Sequence, residues 1–185
     1  MRTERELDFL AEHLYGHRDE HTRTVAYLYK ELAQLAEIEM HVAMVMVRVI
    51  AESAQCDGDR LWVGSDLVHA LSCFASEEIQ HANTFYRYVR TLTGVDLKIE
   101  NNFFRERLAL YLGDERPLVK LAALCATAYV GESVITVFET RMKSVDPGMR
   151  SPFTYLLHLH GLDEARHIKV DHFMIDHVIP SLSAV

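Results

Sequence analysis

The chain has 185 residues, of which 49% are hydrophobic and 25% are charged, a composition typical of a soluble globular protein. Its 27 acidic residues outnumber the 19 basic ones, so the formal net charge is −8. This charge, without any cluster of Lys or Arg, argues against nucleic acid or an anionic membrane as a partner. The length predicts a single domain over residues 1–185 with a sizeable core.

The cysteines and the N-terminal residues bear on the cellular compartment. Cys56, Cys73 and Cys125 are widely spaced, match no zinc-binding pattern and are expected to be reduced. Residues 1–6 are mostly charged and lack the apolar core of a signal peptide. Wholly apolar runs such as residues 42–47 are far shorter than the roughly 20 residues of a membrane helix. We therefore expect a cytoplasmic protein without a membrane span.

Apolar residues at helical spacing predict an all-α fold, which begins with a short helix over residues 3–15 that stops near Gly16. His13, His17 and His21 would share one face if this helix continued. They could form a surface metal site, but we interpret them as a solvated stripe.

Two long helices come next, and turn or capping residues define their ends. The first is predicted over residues 22–54 and ends before the turn at residues 57–59. The second is predicted over residues 65–93, with a serine as its N-cap and a glycine after its last residue. A crossover follows over residues 95–115, with a short helix predicted at residues 103–112.

The remaining chain predicts two further long helices. The third is expected over residues 117–143, with a proline in its first turn, and it breaks at residues 146–148. Ser151 and Pro152 have the residue types of an N-cap and a first helical position, so they predict the start of the fourth helix. Pro180 is expected to close it.

Charged side chains interrupt the apolar stripes of the first three long helices. Glu39 takes one place in the stripe of the first helix, and Glu132 takes one in the stripe of the third. In the second helix, Glu78 and His81 form a Glu-x-x-His pair within the stripe. A buried charge is costly unless it is paired or bound to a metal, so these side chains predict a shared polar centre.

The fourth helix carries the strongest signal. His160, Glu164 and His167 are spaced i, i+4 and i+7, so all three project from one face of a helix. One Glu-x-x-His pair on each of two helices, with one Glu from each of two others, is the pattern of ferritin-like dimetal proteins. The sequence therefore predicts a ferritin-like four-helix bundle, with a short N-terminal helix and a short crossover helix between the second and third long helices.

The positions of the motifs support this prediction more than their number does. With 16 Glu and 11 His in the chain, about one Glu-x-x-His pair is expected by chance. Facing ligands in an antiparallel hairpin lie equally far from its turn. The midpoint of Glu132 and Glu164 falls in the predicted turn at residues 146–148, and that of Glu39 and Glu78 falls in the turn at residues 57–59. Both hairpins thus place a lone Glu opposite a Glu-x-x-His pair.

Carboxylate and imidazole ligands without a thiolate favour iron or manganese. Four carboxylates can balance two divalent ions, so we predict two iron ions, with manganese as an alternative at one site. The predicted metal ligands are Glu39, Glu78, His81, Glu132, His160, Glu164 and His167. Asp163 and Glu77, each just before a ligand glutamate, are candidate acceptors for the histidine N–H groups.

Several assignments stay open from the residues alone. Glu37 is an alternative to Glu39, which the apolar stripe favours. Glu139 lies on the face of Glu132 two turns away, and we interpret it as a neighbour of the centre or a channel-lining residue. His158 points away from the ligands and is interpreted as structural. Gly131, inside a helix, leaves space for substrate or dioxygen, or permits close helix packing.

At these residues the sequence resembles the p-aminobenzoate N-oxygenase family of ferritin-like di-iron proteins. The resemblance rests on Glu78-x-x-His81, on Glu132 and on the His-x-x-x-Glu-x-x-His run from His160 to His167, and it covers residues 25–178. It implies two irons, dioxygen, oxidation of an arylamine nitrogen, an electron donor and a homodimer. In that family His160 corresponds to a third histidine, one turn before the second motif. The chain is much shorter than typical members. The resemblance therefore implies the chemistry of the dimetal core but not the identity of the substrate.

The first hypothesis is therefore a di-iron oxygenase that activates dioxygen to oxidise a small organic substrate, with an amine nitrogen as one candidate. In this hypothesis His160 increases electron donation to one iron and favours oxygen activation over simple iron oxidation. The second hypothesis is a ferritin-like or rubrerythrin-like protein that oxidises iron or removes peroxide without an organic substrate. The third is a metal-free helical interaction protein, in which seven buried titratable side chains would lack compensation.

Overall fold

The computed structural model describes residues 3–10, 12, 21–53, 65–94, 96 and 104–182. Within these ranges, the side chains of residues 3, 21–30, 104, 105 and 107 lie outside the description. All regular structure in the described ranges is helical, which confirms the predicted all-α class. The helices are α1 Thr3–Leu10, α2 His21–Ser53, α3 Asp66–Thr93, α4 Phe104–Leu110, α5 Pro117–Val145, α6 Pro152–Phe173 and α7 Ile179–Leu182.

Both ends of α3 follow from local capping chemistry. The Ser65 hydroxyl accepts a hydrogen bond from the Val68 amide at 3.2 Å, which satisfies a donor that has no partner inside the helix. At the other end Gly94 adopts a left-handed conformation, with φ 73°, and donates its N–H to the Arg90 carbonyl at 2.8 Å. The helix therefore ends where the sequence predicts.

The short connection between α5 and α6 is also held by side-chain caps. The Asp146 carboxylate accepts the Ser151 N–H at 2.8 Å, and the Ser151 hydroxyl accepts the Phe153 N–H at 3.1 Å. Pro152 occupies the first helical position, where a missing N–H costs nothing. This tight turn confirms the predicted break and sets α5 and α6 side by side.

The C-terminal helical segment runs further than predicted. α6 leads into a π-helical turn at Met174–Val178, which α7 then continues. The prediction that Pro180 closes the helix is wrong, because Pro180 lies inside α7. A π turn changes the hydrogen-bond register just upstream, which allows a residue without an N–H to follow it.

Other predicted features are shorter or fall outside the described ranges. α4 ends at Leu110 rather than at residue 112, and the predicted end of the first helix near residue 15 lies outside the described residues. His13, His17, Cys56 and the first predicted turn lie outside the description, as does the side chain of His21. The two cysteines within it carry free thiols, exposed for Cys73 and buried for Cys125.

The long helices pack as two pairs, α2 on α3 and α5 on α6, and further contacts join α2 to α5 and α3 to α6. Two apolar clusters fill the interior. One contains Val49, Leu71 and Leu121, and the other contains Phe85 and Phe153. On each long helix the buried Glu and His residues lie between the segments that supply these two clusters. Apolar packing on both sides therefore holds the polar level in register.

The N-terminal helix is attached through a buried carboxylate. Glu6 is 4% exposed, and it accepts hydrogen bonds from the Tyr88 hydroxyl at 2.7 Å and the Ser151 hydroxyl at 2.6 Å. The Phe153 N–H, in the first turn of α6, also donates to it at 3.1 Å. A carboxylate at a helix N-terminus is favourable because the helix dipole is positive there. Glu6 thereby joins α1 to α3 and α6.

Among the described helices, only α5 is long and apolar enough to cross a membrane, judged by length and composition alone. This is weak evidence, because the core helix of a soluble protein meets the same criteria. Val130, Val134 and Val137 give the outer face of α5 an exposed apolar stripe. The cytoplasmic location stays a prediction.

Gly131 provides a test of local packing in α5. A Cβ atom added there would meet no atom within 4 Å, so the alternative of close helix packing is wrong. We expect Gly131→Ala to raise the free energy of unfolding by about 0.5–1 kcal/mol, because glycine loses more backbone entropy in a helix than alanine does. Urea unfolding measures this gain. A loss of stability would mean that this part of α5 is not an ordinary helix.

Candidate metal centre

The buried polar residues of the four long helices converge in two overlapping groups. Within each group the potential ligand atoms lie within 4.8 Å of one another, and every member is buried. Glu164 belongs to both groups, so the two groups form one continuous cluster. The first group is Glu39, His81, His160 and Glu164, and the second is Glu78, Glu132, Glu164 and His167. The structure thus brings together all seven side chains that the sequence proposes as ligands.

Short contacts define the first group. His160 Nε2 lies 2.9 Å from Glu164 Oε1 and 3.4 Å from Glu39 Oε1. His81 Nδ1 lies 3.4 Å from the same Glu164 oxygen and 3.5 Å from Glu39 Oε2. Two imidazole nitrogens and two carboxylates from α2, α3 and α6 therefore face one point.

The second group shares Glu164 with the first group and also approaches it through Glu78. His167 Nδ1 lies 2.9 Å from Glu78 Oε1 and 3.5 Å from Glu164 Oε2. The same Glu78 oxygen is 3.8 Å from His81 Nδ1, and the other oxygen of Glu164 faces the first group. Glu78 and Glu164 thus lie between histidines of both groups, so either carboxylate could contribute to holding an ion in each group.

The outer ring nitrogens of two histidines are held by acidic side chains of the opposite motif. His81, on α3, pairs through Nε2 with Asp163 of α6 at 3.0 Å. His167, on α6, pairs through Nε2 with Glu77 of α3 at 2.9 Å. Arg166 contacts both of these carboxylates. A carboxylate that accepts from the outer nitrogen leaves the inner nitrogen with a free lone pair, which is the state that binds metal.

The inward atoms of the cluster lack hydrogen-bond partners among the described residues. They are His81 Nδ1, His160 Nε2, His167 Nδ1, Glu132 Oε2 and Glu164 Oε1. Their mutual contacts are short but do not have hydrogen-bond geometry. Buried polar atoms in folded proteins are nearly always satisfied. A set of lone pairs aimed at one place is explained by cations, so the residues present fit metal ions.

The pKa values of the buried carboxylates also indicate that the cluster needs positive charge between them. Burial and the charge of Glu39 raise the pKa of Glu78 well above its usual range. Burial and the neighbouring carboxylates Asp171 and Glu164 raise the pKa of Glu132 to about 11. Burial would also raise the pKa of Glu39, but its close contacts with Glu78, His160 and His81 outweigh it and lower that pKa. In the metal-free protein, protons therefore take the place of cations between the carboxylates.

Aromatic rings close the cluster on the sides that face the two apolar cores. The ring of Phe74 stacks on His167 with centroids 3.8 Å apart and planes 15° apart. Phe85 meets the ring of His160 edge to face at 5.1 Å. These contacts fix the imidazole planes and exclude water from the histidines.

The structure adds one residue that sequence reasoning missed. Asp171 has no exposed surface, and neither of its oxygens has a hydrogen-bond partner in the described part of the chain. It lies near Glu132, and burial raises its pKa to about 6. Its position, four residues after His167, continues the inward face of α6, so extending the motif by one turn would have found it.

Side-chain contacts bear on two of the open assignments. Glu37 is buried but accepts a hydrogen bond from Tyr86, whereas Glu39 lies in the first group. Glu139 is buried away from both groups, where it contacts His158 at 3.1 Å and Lys143 at 2.7 Å. A hydrogen bond with His158 and an ion pair with Lys143 hold its carboxylate, so the interpretation of Glu139 as a neighbour of the centre or a channel-lining residue stays a prediction.

Asp171 gives a prediction about metal affinity. Asp171→Asn keeps the shape but removes one negative charge beside Glu132, so divalent ions should bind more weakly, by about 10–100-fold as for other residues next to ligands. The metal-free protein should melt at a higher temperature, because a buried negative charge without a hydrogen-bond partner among the described residues is removed. Calorimetric titration with Mn²⁺ and thermal melting measure the two effects. Asp176→Asn, an exposed change one turn later, is the matched control, and equal affinities would refute a role for Asp171.

A second prediction concerns the pH dependence of the metal-free protein. Burial opposes a charge on His160, but its close contacts with the carboxylates of Glu164 and Glu39 outweigh it and raise its pKa to about 10 from the usual 6.5. The stabilisation from this proton is complete below pH 6.5 and is lost as the pH rises towards 10. The raised pKa of Glu132 acts in the same direction.

The free energy of unfolding of the chelated protein should therefore fall between pH 7 and 9.5, by up to about 1.4 kcal/mol per pH unit for each titrating group. Urea unfolding at several pH values measures the slope. His160→Gln should flatten it, while the exposed change His172→Gln should not. A stability that stays constant over this range would show that the cluster is not protonated in this way.

Comparisons of the chain with protein-family models, with curated proteins and with solved structures found no match. The resemblance to the N-oxygenase family therefore stays a prediction. The geometry itself establishes that buried Glu and His groups, joined at Glu164, could hold metal ions.

Proposed function

We propose that this chain is a ferritin-like, non-haem di-iron oxygenase that uses dioxygen to oxidise a small organic substrate. The observation that carries the proposal is the pair of overlapping Glu/His groups that share Glu164 and open onto an apolar cavity. Each of the four long helices supplies at least one member of the groups. A Glu-x-x-His pair on α3 and on α6, with a lone Glu on α2 and on α5, agrees with the ferritin-like pattern.

The donor set supports two divalent ions and iron in particular. Imidazole and carboxylate ligands without a thiolate suit iron or manganese better than structural zinc. The side chains around the two positions include five carboxylates, which are enough to balance two divalent ions. Glu39, His81 and His160 would hold one ion and Glu132 and His167 the other, with Glu78 and Glu164 between them.

A cavity of about 670 Å³ lies against the cluster, in the size range of small-molecule sites. Glu39, Glu78, Glu132 and Glu164 form part of its wall, and most of the rest is apolar. Iron oxidation alone needs only a path for ions and dioxygen. A large apolar cavity beside the carboxylates therefore favours an organic substrate.

In the proposed reaction, one atom of dioxygen enters an X–H bond of the substrate to give X–OH, and the other leaves as water. The balance takes two electrons from a donor such as a reduced flavoprotein or ferredoxin, and two protons from solvent. Bound iron would supply the redox chemistry. The chain orients the ligands through Glu77, Asp163 and Arg166, and it excludes water through Phe74 and Phe85.

The alternative is an iron-oxidising or peroxide-handling protein without an organic substrate. The two proposals differ in assembly, since a storage protein forms a large cage and the oxygenase is expected to be a homodimer. Gel filtration separates these sizes. They also differ in what His160 does, because the oxygenase needs this third histidine for substrate turnover.

Metal content tests the centre directly. We expect two iron ions per chain after anaerobic reconstitution, counted by elemental analysis and by the Mössbauer signature of a coupled pair. Glu164→Ala should lose most of both ions, because its carboxylate belongs to both groups. Glu139→Gln, a buried carboxylate outside the groups, should keep both. Wild-type protein that binds one ion or none would refute the di-iron proposal.

Single-turnover kinetics test the oxygenase step. His160→Ala should still oxidise added Fe²⁺ but should lose at least about 10²-fold in oxygenation of an arylamine such as aniline, or of another small substrate found by screening. Mass spectrometry after reaction with ¹⁸O₂ detects the inserted atom. If the variant keeps full turnover, the role of His160 in oxygen activation is wrong. If the wild type only consumes Fe²⁺ or peroxide, the alternative function holds.

A further inference from the structure

The cavity beside the carboxylates is an elongated groove between α2 and α5. Its walls are formed by one apolar face of α2 and the facing residues of α5, over about ten residues of each helix, or about 15 Å at 1.5 Å per residue. Leu108 and Tyr111, from α4 and the turn after it, border the groove. The apolar wall includes Leu35, Ile38, Val42, Val45, Leu124 and Ile135.

The entrance to the groove is apolar as well. Val130 and Val134 line it while remaining 62% and 63% exposed, so they stand at its rim. Gly131 lies between them in the same wall, and no atom lies within 4 Å of the place where its Cβ would be. The missing side chain leaves the groove open beside Glu132. A ligand that enters the groove would therefore contact apolar side chains before it reaches the carboxylates.

The charged groups of the lining carry only negative charge. Glu39, Glu78, Glu132 and Glu164 are its acidic members, and no Lys or Arg occurs among the lining residues within the described ranges. His41, which also borders the groove, contacts the Glu37 carbonyl through Nδ1 at 2.6 Å. The described wall therefore offers no Lys or Arg to pair with a carboxylate or phosphate.

Electrostatics also disfavour an anionic occupant when metal is bound. Five carboxylates, including Asp171, surround positions for two divalent ions, so the centre has no surplus positive charge to offer. Charges interact strongly at a site lined by hydrocarbon, because little water screens them. Burying an unpaired ion against an apolar wall is itself costly.

We propose that the groove binds an uncharged, predominantly hydrocarbon substrate, aromatic or aliphatic, with the bond to be oxidised directed towards the carboxylates. This inference rests on the proposed function for the reaction but not for the binding. It differs from what the family resemblance implies, since an aminobenzoate carries a carboxylate for which the described wall has no Lys or Arg partner.

A pair of fluorescent probes tests the charge preference. N-phenyl-1-naphthylamine is uncharged, and 8-anilino-1-naphthalenesulfonate has the same ring skeleton with one sulfonate added. Both become brighter in apolar surroundings. Titrating the full-length protein, metal-free and loaded with redox-inert Zn²⁺, should give saturable binding of the uncharged probe at one site per chain. The sulfonate should bind at least tenfold more weakly, and equal or tighter binding of the sulfonate would overturn the proposal.

Two variants on α5 locate the binding site. Gly131→Phe places a large ring in the groove and should weaken the uncharged probe at least tenfold. Ala123→Phe adds the same ring to an exposed position of α5 outside the lining and should leave binding unchanged. Thermal melting confirms that both variants fold. Equal binding by Gly131→Phe would place the probe elsewhere and refute the groove as its site.

Iron content, counted after anaerobic reconstitution of the same metal-free preparation, separates this inference from the proposed function. A protein that binds two irons but not the uncharged probe would refute the hydrocarbon groove and leave the di-iron centre standing. A protein that binds the probe at Gly131 but takes up no iron would support the groove and refute the di-iron function.

Discussion

The structure depends on one electrostatic constraint, which is the burial of five carboxylates at one level of the long helices. They belong to Glu39, Glu78, Glu132, Glu164 and Asp171. Like charges in a low-dielectric interior repel one another, so the arrangement persists only with protons or cations between them. The raised pKa of Glu132 indicates that protons separate the carboxylates in the metal-free protein. The histidine nitrogens that face the cluster without hydrogen-bond partners among the described residues would bind cations there instead.

The rest of the fold keeps these groups together at low cost. Apolar clusters above and below the polar level set the register of the helices, and the caps at Ser65 and Ser151 fix where α3 and α6 begin. Side-chain contacts outside the cluster join α3 to α6. Glu77 of α3 contacts His167 of α6, and Asp163 of α6 contacts His81 of α3. The histidine rings are therefore oriented by the packing of α3 against α6.

The same arrangement separates two environments that an oxygenase would need. On the side of α3 and α6, aromatic rings and ion pairs close the cluster. Between α2 and α5 the packing leaves a groove of about 670 Å³ whose apolar wall reaches the carboxylates. Small residues of α5, Gly131 above all, keep that groove open. The Glu/His cluster would thus determine the reaction, and the apolar wall of the groove would determine which substrate binds.

The sequence by itself determined the features that depend on neighbouring residues. Helical periodicity, the turn after α5 and the shared face of His160, Glu164 and His167 follow from local geometry, so all seven proposed ligands could be named before the structure. Only tertiary packing decided the rest: the exchange of acceptors between α3 and α6, the contact of Glu139 with His158, the burial of Asp171 and the groove beside Gly131. These depend on the rotation and spacing of helices distant in the chain, which no local pattern encodes.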